Sequence, residues 1–242
     1  MTKNILSPAL NLNTSRAHIN CSNCSLYPVC EPTTVGDAVF DISDKLLLKK
    51  QPVKAGDVIY QEGQTFTDLY ALTTGSAKEV CFSGDEEQIL GFKLKGELTG
   101  QNAIATGVYP HTLIALEDST LCILPYDKLT KSADSLPAIS TQIIKLFAAD
   151  SYHESQIRRS LATAKTAENK VRAFIYNLAS RFKDRNLRYT EIKLSMSRKE
   201  IADYLGITKE TLSRSLTTLQ KKALIEISGK NIHIIDFESL KY

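Results

Sequence analysis

The chain has 242 residues, 43% apolar and 24% charged, a balance that fits a soluble globular protein with room for about two domains. It contains no run of ~18 apolar residues and no basic-then-apolar leader, so neither a membrane span nor a signal peptide is expected, and a cytoplasmic location is. The net charge of +3 is uneven: Glu168 to Tyr242 holds 15 Lys/Arg against 9 Asp/Glu, while residues 1–167 are acidic on balance. A basic C-terminal part points to a polyanionic partner.

Residues 1–20 are polar and irregular and read as an arm. The stretch CSNCSLYPVC then places Cys21, Cys24 and Cys30 within ten residues, and Pro28 with its polar neighbours marks it as a loop. Cys81 and Cys122 bring the total to five. An odd count in a reducing compartment argues against a disulfide framework; clustered thiols there bind metal or do redox chemistry. Zinc closes four ligands, and an iron–sulfur cluster takes four thiolates. The loop supplies three, which leaves Cys122 and Cys81 as candidates for the fourth.

Asp37 to Lys50 reads as a short helix. From Val53 to Leu129, short apolar runs alternate with glycines from Gly56 to Gly107, the pattern of an antiparallel barrel or roll. Within LCILP, strand alternation sets Leu121, Ile123 and Pro125 on one side and Cys122 on the other. From Ser135 to about Ala167 the pattern is helical. Ile139, Ile143, Leu146, Asp150, His153, Ile157, Ser160 and Ala164 recur at a 4-3 spacing along ~40 Å of helix. A seam of that period suggests a coiled-coil dimer. Asp150 and His153 would set like charges together across a two-fold axis, or register drift leaves them outside the seam. Val171, Phe174, Ile175, Leu178 and Phe182 mark a second amphipathic helix.

The stretch SRKEIADYLGITKETLSRSLTTLQKK, Ser197 to Lys222, reads as two helices joined by a tight turn. Ser197 and Glu200 have capping-box spacing, Gly206 supplies the turn, and Thr208 caps the second helix. Leu212, Leu216 and Leu219 form its inner face; Lys209, Glu210, Ser213, Arg214 and Thr217 form the outer one. In a helix-turn-helix the second helix lies in the DNA major groove. Arg214 can pair bidentately with guanine, Glu210 can accept from cytosine N4, and Ser213 can meet base or phosphate. Leu224 to Asp236 alternates around Gly229-Lys230-Asn231, a hairpin that makes the unit winged and puts Lys230 at its tip.

In this order of parts, and in the stretches CSNCSLYPVC, GDEEQILGFKLKGEL, AFIYNLASRF and YLGITKETLSR, the chain resembles the CRP/FNR superfamily of bacterial regulators, most closely its oxygen-sensing FNR type. The resemblance implies an α+β fold. An arm with the cysteine loop (1–36) leads into an antiparallel, cyclic-nucleotide-binding-like β-roll (37–134), then a dimerisation helix (135–167) and a winged helix-turn-helix domain (168–242). It implies a [4Fe-4S] cluster on Cys21, Cys24, Cys30 and Cys122, with Cys81 outside the ligand set. Glu210, Ser213 and Arg214 match the family's DNA-reading E-x-x-S-R, flanked by Ser197, Thr208 and Lys209. The implied partners are TTGAT-type inverted-repeat DNA, a second copy of the chain paired through Ile143, Leu146, Asp150, His153 and Ile157, and RNA polymerase, through the hairpin loop Ser83 to Glu87. The implied switch is linkage: the intact cluster favours the dimer and DNA binding, and oxygen, by degrading it, weakens both.

Two departures stand out. Gly96-Glu97-Leu98 resembles part of the cyclic-nucleotide phosphate cassette, but where the cassette's arginine should follow, the chain reads Tyr109-Pro110-His111-Thr112. No cyclic nucleotide is therefore expected. Arg158 and Arg159 make the dimerisation helix more polar than in FNR-type regulators. The competing functions are a nucleotide-responsive regulator of this fold, which the missing arginine disfavours, and a zinc or redox sensor using the same thiols. An iron–sulfur enzyme is a third, but the four histidines are scattered and no catalytic constellation forms, so no enzyme is expected.

Overall fold

The structure is a computed structural model that describes Cys24 and residues 33–35, 38–40, 49–135 and 137–241. The arm at 1–20, Cys21 and Cys30 lie outside the described residues. The chain divides into two compact units, Met1–Phe147 and Ala148–Tyr242.

The first unit is a β-roll. β1 (Thr33–Val35) and β2 (Ala38–Phe40) pair antiparallel as a two-stranded ribbon. A first four-stranded sheet has the order β3 (Lys49–Val53), β10 (Ser119–Pro125), β5 (Asp68–Thr74), β8 (Leu98–Thr99). A second has the order β4 (Val58–Tyr60), β9 (Thr112–Ala115), β6 (Ala77–Ser83), β7 (Glu86–Lys93). All pairs are antiparallel, and the expected roll forms. Of the stretch Asp37 to Lys50, expected as a helix, the described residues 38–40 and 49–50 are instead strand, because each finds an antiparallel partner, 38–40 in β1 and 49–50 in β10. Residues 41–48 lie outside the described residues.

One apolar core lies between the two sheets and includes Tyr60, Leu72, Ala77, Tyr109, Leu113 and Leu121. A second covers the other face of the first sheet, where Leu69, Ala71, Leu98, Cys122 and Leu124 meet Leu129. The alternation expected in β10 holds. Leu121 and Ile123 pack on the inner core, whereas Cys122 and Leu124 pack on the outer one.

Helix α1 (Tyr126–Ser135) follows β10 directly. Helix α2 (Pro137–Thr163) comes next, so the single helix expected from Ser135 instead opens at Pro137. Proline has no N–H to lose in a first turn, and it disfavours helical geometry in the residue before it. The expected β-region ran on to Leu129, but β10 ends at Pro125 and Tyr126 to Leu129 already belongs to α1.

The second unit continues α2 and adds α3 (Ala167–Lys183), capped by Thr166, whose side chain accepts from Asn169 N–H at 3.2 Å. α3 buries Val171, Phe174, Ile175 and Leu178. β11 (Glu191–Lys193), α4 (Arg198–Leu205), α5 (Lys209–Lys221), β12 (Ile225–Ser228) and β13 (Asn231–Ile234) complete a winged helix-turn-helix. The wing is a three-stranded sheet of order β11-β13-β12, one strand more than the expected hairpin.

Candidate DNA interface and thiol site

Local chemistry positions α5. Ser197 N–H donates to Glu200 Oε2 at 2.7 Å and Glu200 N–H donates to Ser197 Oγ at 3.2 Å, which closes the capping box and opens α4. Gly206 ends α4 in the left-handed region, at φ 60°, where a side chain would be strained. Ile207 N–H reaches back to the Ala202 carbonyl at 3.0 Å, and the Lys170 ammonium donates to the Leu205 carbonyl at 3.0 Å. Both satisfy carbonyls orphaned by the helix end, and the cation also suits that end of the dipole. Thr208 then caps α5 by accepting from Thr211 N–H at 3.2 Å.

Leu212, Leu216 and Leu219 are buried beneath α5, together with Ser215, which the sequence pattern did not single out. Thr208, Lys209, Glu210, Ser213, Arg214 and Thr217 are exposed along the first turns of the opposite face. The Arg214 guanidinium donates to Thr211 Oγ1 at 3.2 Å, and Thr208 Oγ1 bonds the same oxygen at 2.9 Å. A row of two threonines thus steadies the arginine fork above the helix start. Beside it, the wing turn is tied down. Leu194 N–H donates to the Lys230 carbonyl at 2.8 Å, and Arg198 Nη2 approaches the Gly229 carbonyl at 3.5 Å. Partial burial lowers the Arg198 pKa from its ordinary value. Lys230 is exposed at the tip.

Of the four expected cluster ligands, two are described. Cys122 is 9% exposed in the outer core of the roll, and Cys24 packs half-buried against that same core. Cys81 lies elsewhere, on β6 opposite Gln88. Among the described residues no group of three or more His, Cys, Asp or Glu side chains is poised for a metal. The donor chemistry nonetheless fits an iron–sulfur cluster: Cys24 of the loop packs on the same apolar core that holds Cys122, and thiolates are the ligands such clusters take.

The expected dimerisation residues split into two groups. Ile143 and Leu146, with Phe147, pack against the Cys122 core. Asp150, His153 and Ile157 are half-buried in the second unit, where His153 Nδ1 lies 3.8 Å from Asp184 Oδ2. The apolar groups α2 leaves in solvent are others, Ile144 at 68% and Tyr152 at 62% exposure.

Sequence reasoning missed a polar centre inside the roll. Glu79 Oε1 lies 3.1 Å from His111 Nε2, 3.2 Å from Thr99 Oγ1 and 3.6 Å from Lys93 Nζ. Burial alone would raise the Glu79 pKa; the Lys93 charge, then His111 and Thr99, outweigh it and hold the carboxyl at about 2. Tyr60 stacks on Tyr109 with centroids 4.2 Å apart, and burial pushes its phenol well above the usual range. One signal was available: Glu79 stands two residues from Ala77, on the strand face that turns inward.

Comparison with known proteins accords with this architecture. The cyclic nucleotide-binding domain family matches residues 50–135, and the Crp-like helix-turn-helix domain family matches residues 169–242. The chain is 35% identical to the transcriptional activator protein Anr of Pseudomonas protegens over 91% of both chains. It is 35% identical to the fumarate and nitrate reduction regulatory protein of Yersinia pestis, over 92% of this chain and 89% of that one. The solved structure of FixK2 from Bradyrhizobium japonicum superposes with a TM-score of 0.69 at 25% identity, covering 80% of this chain and 95% of that one. With identity at this level along nearly the whole length, and both domains matched, the chain belongs to the CRP/FNR family of transcription regulators.

Proposed function

We propose that this protein is an oxygen-responsive transcription regulator that binds palindromic TTGAT-type DNA as a homodimer when Cys21, Cys24, Cys30 and Cys122 hold a [4Fe-4S] cluster. When bound, such a cluster supplies an oxygen-labile centre fixed by thiolates. The observation that carries the reading is the shared packing of Cys24, Cys122, Ile143, Leu146 and Phe147. A change in how the Cys122 thiol is held acts on side chains that seat the start of α2. The rest of α2 then presents Ile144 and Tyr152 outward, where a second copy would cover them. Asp150 and His153 hold that association near its threshold. A ligand shifts a two-state equilibrium only by its differential affinity, so the dimer must be marginal without the cluster for oxygen to switch it.

On DNA, Arg214 takes guanine O6 and N7, Glu210 takes cytosine N4, and Ser213 meets a base edge or phosphate. Lys209, Ser197 and Thr208 lie toward the backbone, and Lys230 adds a wing contact. A two-fold dimer requires an inverted-repeat site. The hairpin loop Ser83 to Glu87 is the surface assigned to RNA polymerase. Similarity to proteins named as a transcriptional activator and as a fumarate and nitrate reduction regulator supports the reading. The domains fall at 1–36, 37–134, 135–167 and 168–242.

The test is anaerobic purification with iron and acid-labile sulfide analysis, with operator binding measured before and after air at stated salt. Wild type and Cys81→Ser should contain sulfide and lose operator affinity in air. Cys122→Ser should contain none. Sulfide-free anaerobic protein, or binding indifferent to air, would refute the proposal.

A further inference from the structure

Three helices of the second unit end in the same way. After α3, Asn186 N–H donates to the Lys183 carbonyl at 2.9 Å and Leu187 N–H to the Phe182 carbonyl at 2.9 Å. After α4, Gly206 N–H donates to the Asp203 carbonyl at 3.1 Å and Ile207 N–H to that of Ala202 at 3.0 Å. After α5, Ala223 N–H donates to the Gln220 carbonyl at 2.9 Å and Leu224 N–H to that of Leu219 at 3.1 Å. Each pair of bonds satisfies carbonyls orphaned by a helix end, and each needs its first donor in the left-handed region. There φ is 54° at Asn186, 60° at Gly206 and 54° at Ala223. Glycine enters that region without a clash, and asparagine enters it more readily than most residues. Alanine has neither advantage, because its Cβ crowds the following carbonyl.

Packing does not offset the strain at Ala223, since the residue is exposed. Its neighbours are what hold it. Leu219 is fully buried under the end of α5, and Leu224 is half-buried just past the turn. The Leu224 carbonyl also accepts from Ile235 N–H at 3.0 Å and Asp236 N–H at 3.3 Å, just beyond β13. Leaving the left-handed region would break these bonds. Within that region the well open to alanine is small, whereas glycine ranges widely. A Cβ at 223 therefore costs stability and narrows the swing between α5 and the wing. Strain that the surroundings impose gathers where geometry serves function. Ala223 stands at such a place, between the helix that carries Arg214 and the hairpin that carries Lys230.

We propose that Ala223 is a positioning residue for DNA binding: its strained left-handed backbone fixes the wing against α5, so that Lys230 meets a phosphate in register with Arg214 on its base. The inference rests on the DNA-binding reading of α5 and the wing. Stability is given up for a wing set in place before DNA arrives, which lowers the ordering cost of binding.

The experiment uses anaerobically purified full-length protein. It measures melting temperature, affinity for operator and scrambled DNA by fluorescence anisotropy, and hydrogen exchange at the Ile235 and Asp236 amides. Ala223→Gly should melt roughly 2 °C or more above wild type. It should nevertheless bind operator about threefold or more less tightly, with a smaller loss on scrambled DNA. Its two wing amides should exchange faster despite the higher melting temperature. Ala223→Asn, which relieves strain and keeps a Cβ, should melt higher with operator affinity unchanged. In a Lys230→Ala background, Ala223→Gly should cost no further affinity. Four results would overturn the proposal: Ala223→Gly melting no higher than wild type, Ala223→Gly binding operator as tightly, a loss of equal size with and without Lys230, or Ala223→Asn losing as much affinity as Ala223→Gly. Wild type that binds no DNA would remove the DNA-binding reading and this inference with it, whereas those four results remove the inference alone.

Discussion

Glu79 and Gly91 face each other across the β6–β7 ladder, and the glycine is what lets the carboxylate lie flat over the partner strand. His111, Thr99 and Lys93 hold that carboxylate, so it has little freedom to move away from an added methyl group. Gly91→Ala is therefore expected to destabilise the roll by about 1 kcal/mol, the low end of overpacking costs, read as a lower denaturant midpoint at unchanged slope.

The same carboxylate sets an acid limit. The Glu79 pKa in the fold is about 2, against an ordinary 4.5. Because the folded value is the lower one, ionised Glu79 stabilises the fold above about pH 4.5, and the contribution drains away as pH falls through 4.5 toward 2. Its size is of order 3 kcal/mol. Against wild type, Glu79→Gln should lose stability at neutral pH, and the two denaturation midpoints should converge on acidification. Parallel midpoints from pH 7 to pH 3 would show that the carboxylate contributes nothing.

Arg214 is exposed, with Nη2 donating to Thr211 Oγ1, and the remaining guanidinium N–H groups can form a bidentate pair. Arg214→Lys keeps the charge but loses the planar fork. Operator affinity should fall by ~1–3 kcal/mol, while affinity for scrambled DNA and the salt slope stay near wild type. Fluorescence anisotropy at two salt concentrations separates these outcomes. An equal loss on both DNAs would make Arg214 a phosphate contact instead.

Ile144 is exposed at the surface of α2, whereas Ile143 is packed inward. Ile144→Glu should leave stability within roughly 0.5 kcal/mol, as surface changes do, yet abolish the anaerobic dimer in sedimentation velocity. Asp150→Ala should act in the opposite direction and raise the aerobic dimer fraction. Dimerisation untouched by Ile144→Glu, but lost in a conservative Ile143 variant, would return the seam to the 4-3 stripe.

The sequence was most legible where structure is local. Ser197, Glu200, Gly206 and Thr208 specify α4, the turn and α5 within a dozen residues, and each does what its spacing indicates. The roll was legible as a region, because glycine-punctuated β-favouring runs have few other solutions, but its strand order was not. Ala38 to Phe40 and Lys49 to Lys50 misled because nothing local in them reveals the strand each pairs with, and the partner decides. The opening of α2 at Pro137 is marked by the proline itself. The Glu79 centre was the least accessible: Tyr60, Glu79, Lys93, Thr99 and His111 come from strands spread over some fifty residues, and only the fold makes them neighbours.

β13 lies between β11 and β12, so both of its backbone edges are occupied. The wing therefore behaves as a stiff lever and not a loose flap. Its tip carbonyls already grip Leu194 N–H and the Arg198 guanidinium, on either side of the Ser197 cap. A force applied at Lys230 is delivered to the first turn of α4, so the grip of the tip and the aim of the reading helix rise and fall as one mechanical unit.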